Sequence, residues 1–123
     1  MNRYKFRAWH KSQKRMFEVY GLGQDFITEN TMDGAIPGQN CFNGDELEDI
    51  IVMLESPISD CNGNKMYEGD IIQAPDGKIY TVKFIDGCFW AIGHKNEHWC
   101  RYLYDCTEYE IIGNLYQQGD IKL

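Results

Sequence analysis

No apolar run in this chain exceeds five residues, Ile50 to Leu54 being one of them. A membrane-spanning helix needs about 20. The opening stretch "MNRYKFRAWHKSQKRMF" interleaves charge with aromatics, so the basic start and apolar middle of a secretory signal are absent. A soluble protein in the cytoplasm, with no membrane partner, is the expectation. The phosphate-cradling runs G-x-x-x-x-G-K-[ST] and G-x-G-x-x-G are also missing, which leaves a nucleotide-phosphate loop unsupported. Repeats of twenty residues or more, low-complexity tracts and linkers marked by a change of composition are lacking too. Cysteine is present but does not suggest disulfides. Cys41, Cys61, Cys88, Cys100 and Cys106 are odd in number and irregular in spacing, as expected of reduced thiols in a reducing compartment.

Positive charge is the scarcer sign. The net charge of −7 disfavours a long-range field for phosphates. It is unevenly spread, with six Lys or Arg and no acid in residues 1 to 15, and five acids and no base from Asp45 to Glu55. The basic segment is placed to meet an acidic patch on its own chain or on a neighbour's. With 123 residues, 43% hydrophobic and 14% aromatic, the chain can build one core without metal or disulfide.

The alternation of Tyr4, Phe6 and Ala8 with Lys5, Arg7 and Trp9, the polar "HKSQK" and the resumption "RMFEVYGL" predict an N-terminal β-hairpin over residues 1–20. Residues 21–49, rich in Gly, Asn and Asp, read as an irregular excursion. Within it "NGDELEDIIVML" carries capping-box spacing, and predicts a turn of helix leading into a strand near Ile50 to Leu54 that ends at Pro57. Residues 50–123 then read as a β-meander. The stretch "GDIIQAPDGKIYTVKFIDGCFWAIG" holds Asp76-Gly77 and Asp86-Gly87 between strand-forming residues, the pair that a two-residue type I′ turn needs. A turn at Asp86-Gly87 pairs Phe84 with Phe89 and Lys83 with Trp90. One at Asp76-Gly77 pairs Ala74 with Ile79, Ile72 with Thr81 and Ile71 with Val82. Both faces of such a ribbon are largely apolar, whereas a sheet with water on one side alternates. Each face therefore needs a cover, from the rest of the chain or from a neighbouring subunit. Strands are also expected at Trp99–Tyr104 and from Glu108 to Ile112, extending to Tyr116. The fold class expected is mainly β, a single domain whose antiparallel meander forms a partly closed barrel, with an N-terminal hairpin and little helix.

Reactive side chains give weaker patterns. His94, His98, Cys100 and Cys106 are metal-ligand types in H-x3-H-x-C-x5-C spacing. They lack a tight C-x2-C or H-E-x-x-H unit, so loop histidines and half-buried thiols are the preferred reading, with no metal and no cofactor. Cys88 and Cys100 lie near these histidines in sequence, but a free cysteine on a core strand behaves as a small hydrophobe. Asp60, Asp70, Asp76 and Asp86 adjoin Gly, Asn or Cys in turn-like stretches, where Asp bonds local backbone. No catalytic residue is assigned and the chain is read as non-enzymatic. The basic N-terminal segment with its aromatics offers a stacking surface for single-stranded nucleic acid. The net charge opposes that alternative, and an acidic protein binding a host DNA-binding partner is the other. Trp9, Ile72, Trp90, Ile92 and Trp99 are the residues expected to contribute a self-association interface.

Three blocks, "YKFRAWHKSQKRMF", "DCNGNKMYEGDII" and "EIIGNLY", together resemble the YopX family, small proteins encoded by bacterial phages and prophages. They cover about a third of the chain, in the family's order and spacing. Gly63, Tyr67, Glu68, Gly69, Asp70, Gly113 and Asn114 match its motif, and physically they read as positions in turns and at strand starts. Departures fall at His10, where members often carry Asp, and at "SPISDCNG", where Pro57 alters the turn. The resemblance implies a β-rich fold, a phage or prophage origin, homo-oligomerisation and a host or phage protein partner. It supplies no activity and no catalytic residues.

Overall fold

The N-terminal hairpin forms where the alternation placed it. In the computed structural model, which describes residues 5–29, 41–93 and 100–117, strand β1 (Phe6–His10) and strand β2 (Arg15–Leu22) pair antiparallel, with Ala8 opposite Phe17 and His10 opposite Arg15. Lys14 closes the turn at φ 50.

Residues 21–49, expected to be irregular, contain two further strands, β3 (Phe26–Glu29) and β4 (Cys41–Asn43), and a 3-10 turn over Gly44–Asp49. β3 pairs with β2 and with β4, and Ile27 and Phe42 enter the core from opposite each other. Two apolar anchors in short segments were enough to override the glycine-rich composition, because both pair against a formed hairpin.

β5 (Ile50–Ser59) runs through Pro57 rather than ending there. Proline is tolerated in a strand where its missing N–H would have no partner. The pairing with β6 (Lys65–Tyr67) is irregular between Glu55, opposite Tyr67, and Ser59, opposite Lys65. Pro57 sits exposed in that irregularity, and Lys65 Nζ donates to its carbonyl at 3.1 Å. The Ser56 hydroxyl meanwhile accepts the Ile58 N–H at 3.1 Å.

The remaining strands are β7 (Asp70–Gln73), β8 (Ile79–Ile85), β9 (Cys88–Gly93), β10 (Cys100–Tyr102) and β11 (Glu110–Asn114), with a second 3-10 turn at Leu103–Asp105. They form an antiparallel sheet in the order β10-β9-β8-β7-β11. At Asp86-Gly87 the expected turn and register are found. Both residues take positive φ, 52 and 79, Phe84 pairs with Phe89 and Lys83 with Trp90, and the two phenylalanine rings lie 4.8 Å apart.

At Asp76-Gly77 the register differs by one residue: Ile72 faces Tyr80 and Ile71 faces Thr81. The reason is Pro75. A two-residue loop would need Pro75 and Lys78 to exchange backbone hydrogen bonds, and proline has no N–H to give. The loop instead spans Pro75–Gly77 and is closed by the Ala74 N–H to the Lys78 carbonyl at 2.8 Å and the Gly77 N–H to the Ala74 carbonyl at 2.9 Å. Gly77 takes the left-handed conformation, φ 93. A one-residue slip exchanges faces, so Ile72 joins Val82 and Ala91 in the core, and Ile71 is buried on the other side.

The chain divides into two compact units, residues 1–53 and 54–123. In the first, Ala8, Phe17, Ile27, Phe42 and Ile50 pack together, with the Phe17 and Phe42 rings 5.4 Å apart. In the second, Met66, Ile72, Tyr80, Val82, Leu103, Cys106 and Tyr109 form the larger core. The architecture is mainly antiparallel β, as expected. Among the described residues no sheet closes fully on itself: β10 and β11 are the end strands of the meander sheet.

Candidate interaction surface

The type I′ turn at Asp86-Gly87 sets Lys83 opposite Trp90, and β10 places Tyr102 opposite Trp90 on the next strand. The Trp90 and Tyr102 rings stack at 4.6 Å, 26° between planes. Immediately after β10 the chain turns through Leu103–Asp105. Leu103 is fully buried as the anchor of that turn, and Tyr104 folds back to stack on Tyr102 at 5.4 Å and 17°. The result is a ladder of three aromatic rings, with Lys83 in register beside Trp90.

Tyr102 is 43% exposed, Tyr104 60% and the neighbouring Ile85 44%. Trp90 is half-buried, and its indole N–H donates to the Ile85 carbonyl at 3.3 Å. Exposed aromatic clusters of this kind mark contact surfaces, because rigid rings bury much area at little entropic cost. Tyr102 and Tyr104 were not singled out from sequence. The Tyr-x-Tyr spacing in "RYLYD" was the available signal, but it points to a surface only once the register of β10 against β9 is known.

The interface residues expected from sequence divide. Trp90 and Ile92 lie half-buried on β9. Ile72 is fully enclosed in its own core and has no surface to offer another chain. Trp9 is 9% exposed in the first unit. Trp99 falls outside the described residues, as do His94 and His98.

Of the thiols paired with those histidines in the metal reading, Cys100 is exposed and Cys106 is buried, with its sulfur 3.6 Å from the Tyr102 carbonyl. Burial pushes the Cys106 thiol up, which keeps it protonated and a poor nucleophile. Burial likewise carries the Tyr109 phenol to about 12, with the Cys106 sulfur adding to the effect. Tyr109 and Tyr80 in turn raise Arg101 above its ordinary value.

In the first unit Asp49 ties down the β1–β2 turn. Ser12 donates both its N–H, at 3.1 Å, and its hydroxyl to the same Asp49 oxygen, and the Lys11 N–H reaches the Asp49 carbonyl at 2.8 Å. The Ser12 hydroxyl bond holds this carboxyl below its usual range, with burial opposing. His10 Nδ1 accepts the Gln13 N–H at 3.1 Å. Lys11 Nζ also donates to the Glu48 carbonyl at 3.2 Å, and Arg15 pairs with Glu29 at 2.7 Å. Arg15 thus meets an acidic partner within its own chain. Arg15 also lies above the Phe17 ring, at 5.2 Å.

The motif positions cap turns and start strands. Asp60, buried, accepts N–H bonds from Asn62 and Asn64 on one oxygen, both at 2.9 Å, and from Ile111 on the other at 3.1 Å. Burial works to raise its pKa, and the three N–H groups outweigh it, holding the carboxyl below its ordinary value. Gly63 supplies φ 85 in that loop. The Tyr67 N–H donates to buried Asp70 at 2.8 Å, and the Leu54 N–H to Glu68 at 2.9 Å. Gly69 bonds the Val82 carbonyl through its N–H and the Leu115 N–H through its own carbonyl. Gly113 stands at the β11–β7 irregularity, and Asn114 Oδ1 accepts from Tyr116 and Gln117.

Antiparallel strands with side-chain-capped turns in each unit define a β-rich protein. The chain belongs to the YopX protein family, whose model matches residues 5–121. Among solved structures it is similar to protein EF1440 from Enterococcus faecalis, with a TM-score of 0.66 and 22% identity over 98% of each chain. It is also similar to protein yopX from Bacillus subtilis, with a TM-score of 0.61, 17% identity and 97% and 98% of the two chains covered. At these identities the likeness is one of fold. A search of curated proteins found no match, and among the described residues no helix is long and apolar enough to cross a membrane.

Proposed function

We propose that this chain is a phage or prophage accessory protein of the host cytoplasm, a non-enzymatic binding module that self-associates through the Trp90–Tyr102–Tyr104 surface. The observation that carries the reading is the stacked Trp90–Tyr102–Tyr104 ladder at the β10 end of the sheet, where Tyr102 and Tyr104 are exposed. Each Å² of apolar surface removed from water contributes about 25 cal/mol, so a few aromatic rings supply several kcal/mol towards association. Trp90→Glu places a carboxylate in the middle of that contact.

Light scattering checks this. The wild-type chain of 14.4 kDa should scatter as a multiple of that mass, and Trp90→Glu should fall towards the single-chain value. An unchanged mass would refute the assignment of the surface. The rival reading, nucleic-acid binding by the basic N-terminal hairpin, predicts steeply salt-dependent affinity for labelled single-stranded or duplex DNA. A titration at two salt concentrations should find none.

A further inference from the structure

The dipeptide Asn-Gly occurs twice, at Asn43-Gly44 and at Asn62-Gly63. Asparagine is a chemically labile residue, and a following glycine opens one spontaneous reaction because no Cβ obstructs ring closure. The glycine nitrogen, having lost its proton, attacks the asparagine Cγ, and the side-chain nitrogen leaves as ammonia. A five-membered succinimide results. Water then opens the ring at either carbonyl. One opening gives aspartate. The other breaks the original main-chain amide and gives isoaspartate, whose backbone runs through the former side chain.

The same dipeptide meets two different environments. At Asn62-Gly63 both reacting groups are held. The Gly63 N–H donates to the Asp60 carbonyl at 3.0 Å, which ties up the nitrogen that must attack. The Asn62 N–H donates to Asp60 Oδ1 at 2.9 Å, and its Nδ2 to Glu110 Oε2 at a longer 3.4 Å. Rotation into the ring breaks these bonds. At Asn43-Gly44 the groups are not held in that way. Asn43 is the exposed residue before the 3-10 turn Gly44–Asp49, and its side chain makes no capping hydrogen bond. The Gly44 N–H is the first of that turn, a position with no partner inside the turn. Gly44 is exposed, with nothing within 4 Å of where a Cβ would stand, so a ring has room to form.

We infer that Asn43 is the site of spontaneous succinimide formation and deamidation in the folded chain, and that Asn62 is protected by its loop. Both products alter the first unit. Each adds a carboxylate to a segment that already carries Asp45, Glu46, Glu48 and Asp49. Isoaspartate also lengthens the main chain by a methylene directly after Phe42. That ring is buried, 5.4 Å from the Phe17 ring and 5.2 Å from the His10 ring, and Asn43 itself pairs with Phe26 at the end of β4. The modification therefore loosens the place where β4 completes the core of residues 1–53.

The test holds the full chain at mildly alkaline pH in native buffer and, in parallel, in strong urea, then digests it and measures aspartate and isoaspartate at each site by mass spectrometry. In urea the two sites should convert at similar rates. In native buffer Asn43 should stay within a few-fold of its urea rate, while Asn62 should slow on the order of tenfold or more. Raising the pH should speed conversion at Asn43, because the Gly44 nitrogen must lose its proton. Asn43→Gln, an exposed change whose longer side chain does not close the five-membered ring, should remove the fast conversion while circular dichroism stays that of the wild type. Equal folded-state rates at the two sites, a faster rate at Asn62, or fast conversion that persists in Asn43→Gln would overturn the inference. So would folding that suppresses Asn43 as strongly as Asn62.

Discussion

Removing the Asp60 carboxylate should be the most damaging polar substitution in the second unit. Its two oxygens accept three backbone N–H groups, from Asn62, Asn64 and Ile111, and only 5% of the residue is exposed. Hydrogen bonds to a charged acceptor contribute about 1.5–3 kcal/mol each, but they are not additive. Asn62 and Asn64 are exposed, so water can replace the carboxylate at their N–H groups. The Ile111 N–H, at the start of β11 and half-buried, loses its side-chain acceptor. A net cost of about 3 kcal/mol follows for Asp60→Ala.

Asp60→Asn separates charge from geometry. Its amide oxygen can keep the bonds from Asn62 and Asn64, while its NH2 then faces the Ile111 N–H, donor against donor. The cost should be intermediate, about 2 kcal/mol. The two variants should also differ from wild type in pH dependence. The folded pKa of Asp60 lies below its unfolded value, so the unfolded chain binds more protons between the two. The stabilisation is therefore complete above the unfolded carboxyl value of about 3.9 and is lost as pH falls through the folded one. Urea unfolding monitored by circular dichroism at pH 7 and at successively lower pH measures both effects. A loss below about 1 kcal/mol for Asp60→Ala, or an acid destabilisation equally steep in Asp60→Asn, would refute this account of the loop.

Two other substitutions probe the ladder's support. Gly87→Ala should cost about 1 kcal/mol, because φ 79 is in the left-handed region, whereas Gly87→Asn should be milder; denaturation midpoints of the two variants give the comparison. Leu103→Ala removes the buried anchor of the turn that carries Tyr104. It should cost about 3 kcal/mol in urea unfolding and lower self-association in light scattering even where the fold persists.

The YopX motif residues occupy turn caps, positive-φ corners and strand starts. Asp70 and Glu68 spend their carboxylates on backbone N–H groups, and Gly69 links β8 to the segment after β11. Residues of this kind specify where the chain reverses. The proposed contact surface sits elsewhere, on side chains that the turns only position, which explains how a motif can be legible while the chemistry of the protein is not.

Local rules carried the sequence reading a long way. Alternation located the N-terminal hairpin, and Asp86-Gly87 located a turn and the register of β8 against β9, because type I′ geometry depends on two φ values and the strands that flank them. The same dipeptide at Asp76-Gly77 pointed to the wrong register, since the missing N–H of Pro75 changed the loop by one residue and carried Ile72 into the core. Tertiary structure alone decided the rest. The persistence of β5 through Pro57, and the stacking of Tyr102 on Trp90 and of Tyr104 on Tyr102, depend on how strands pair. What each residue gains there is set by the neighbours it meets in space, and no nearby stretch of sequence encodes those neighbours.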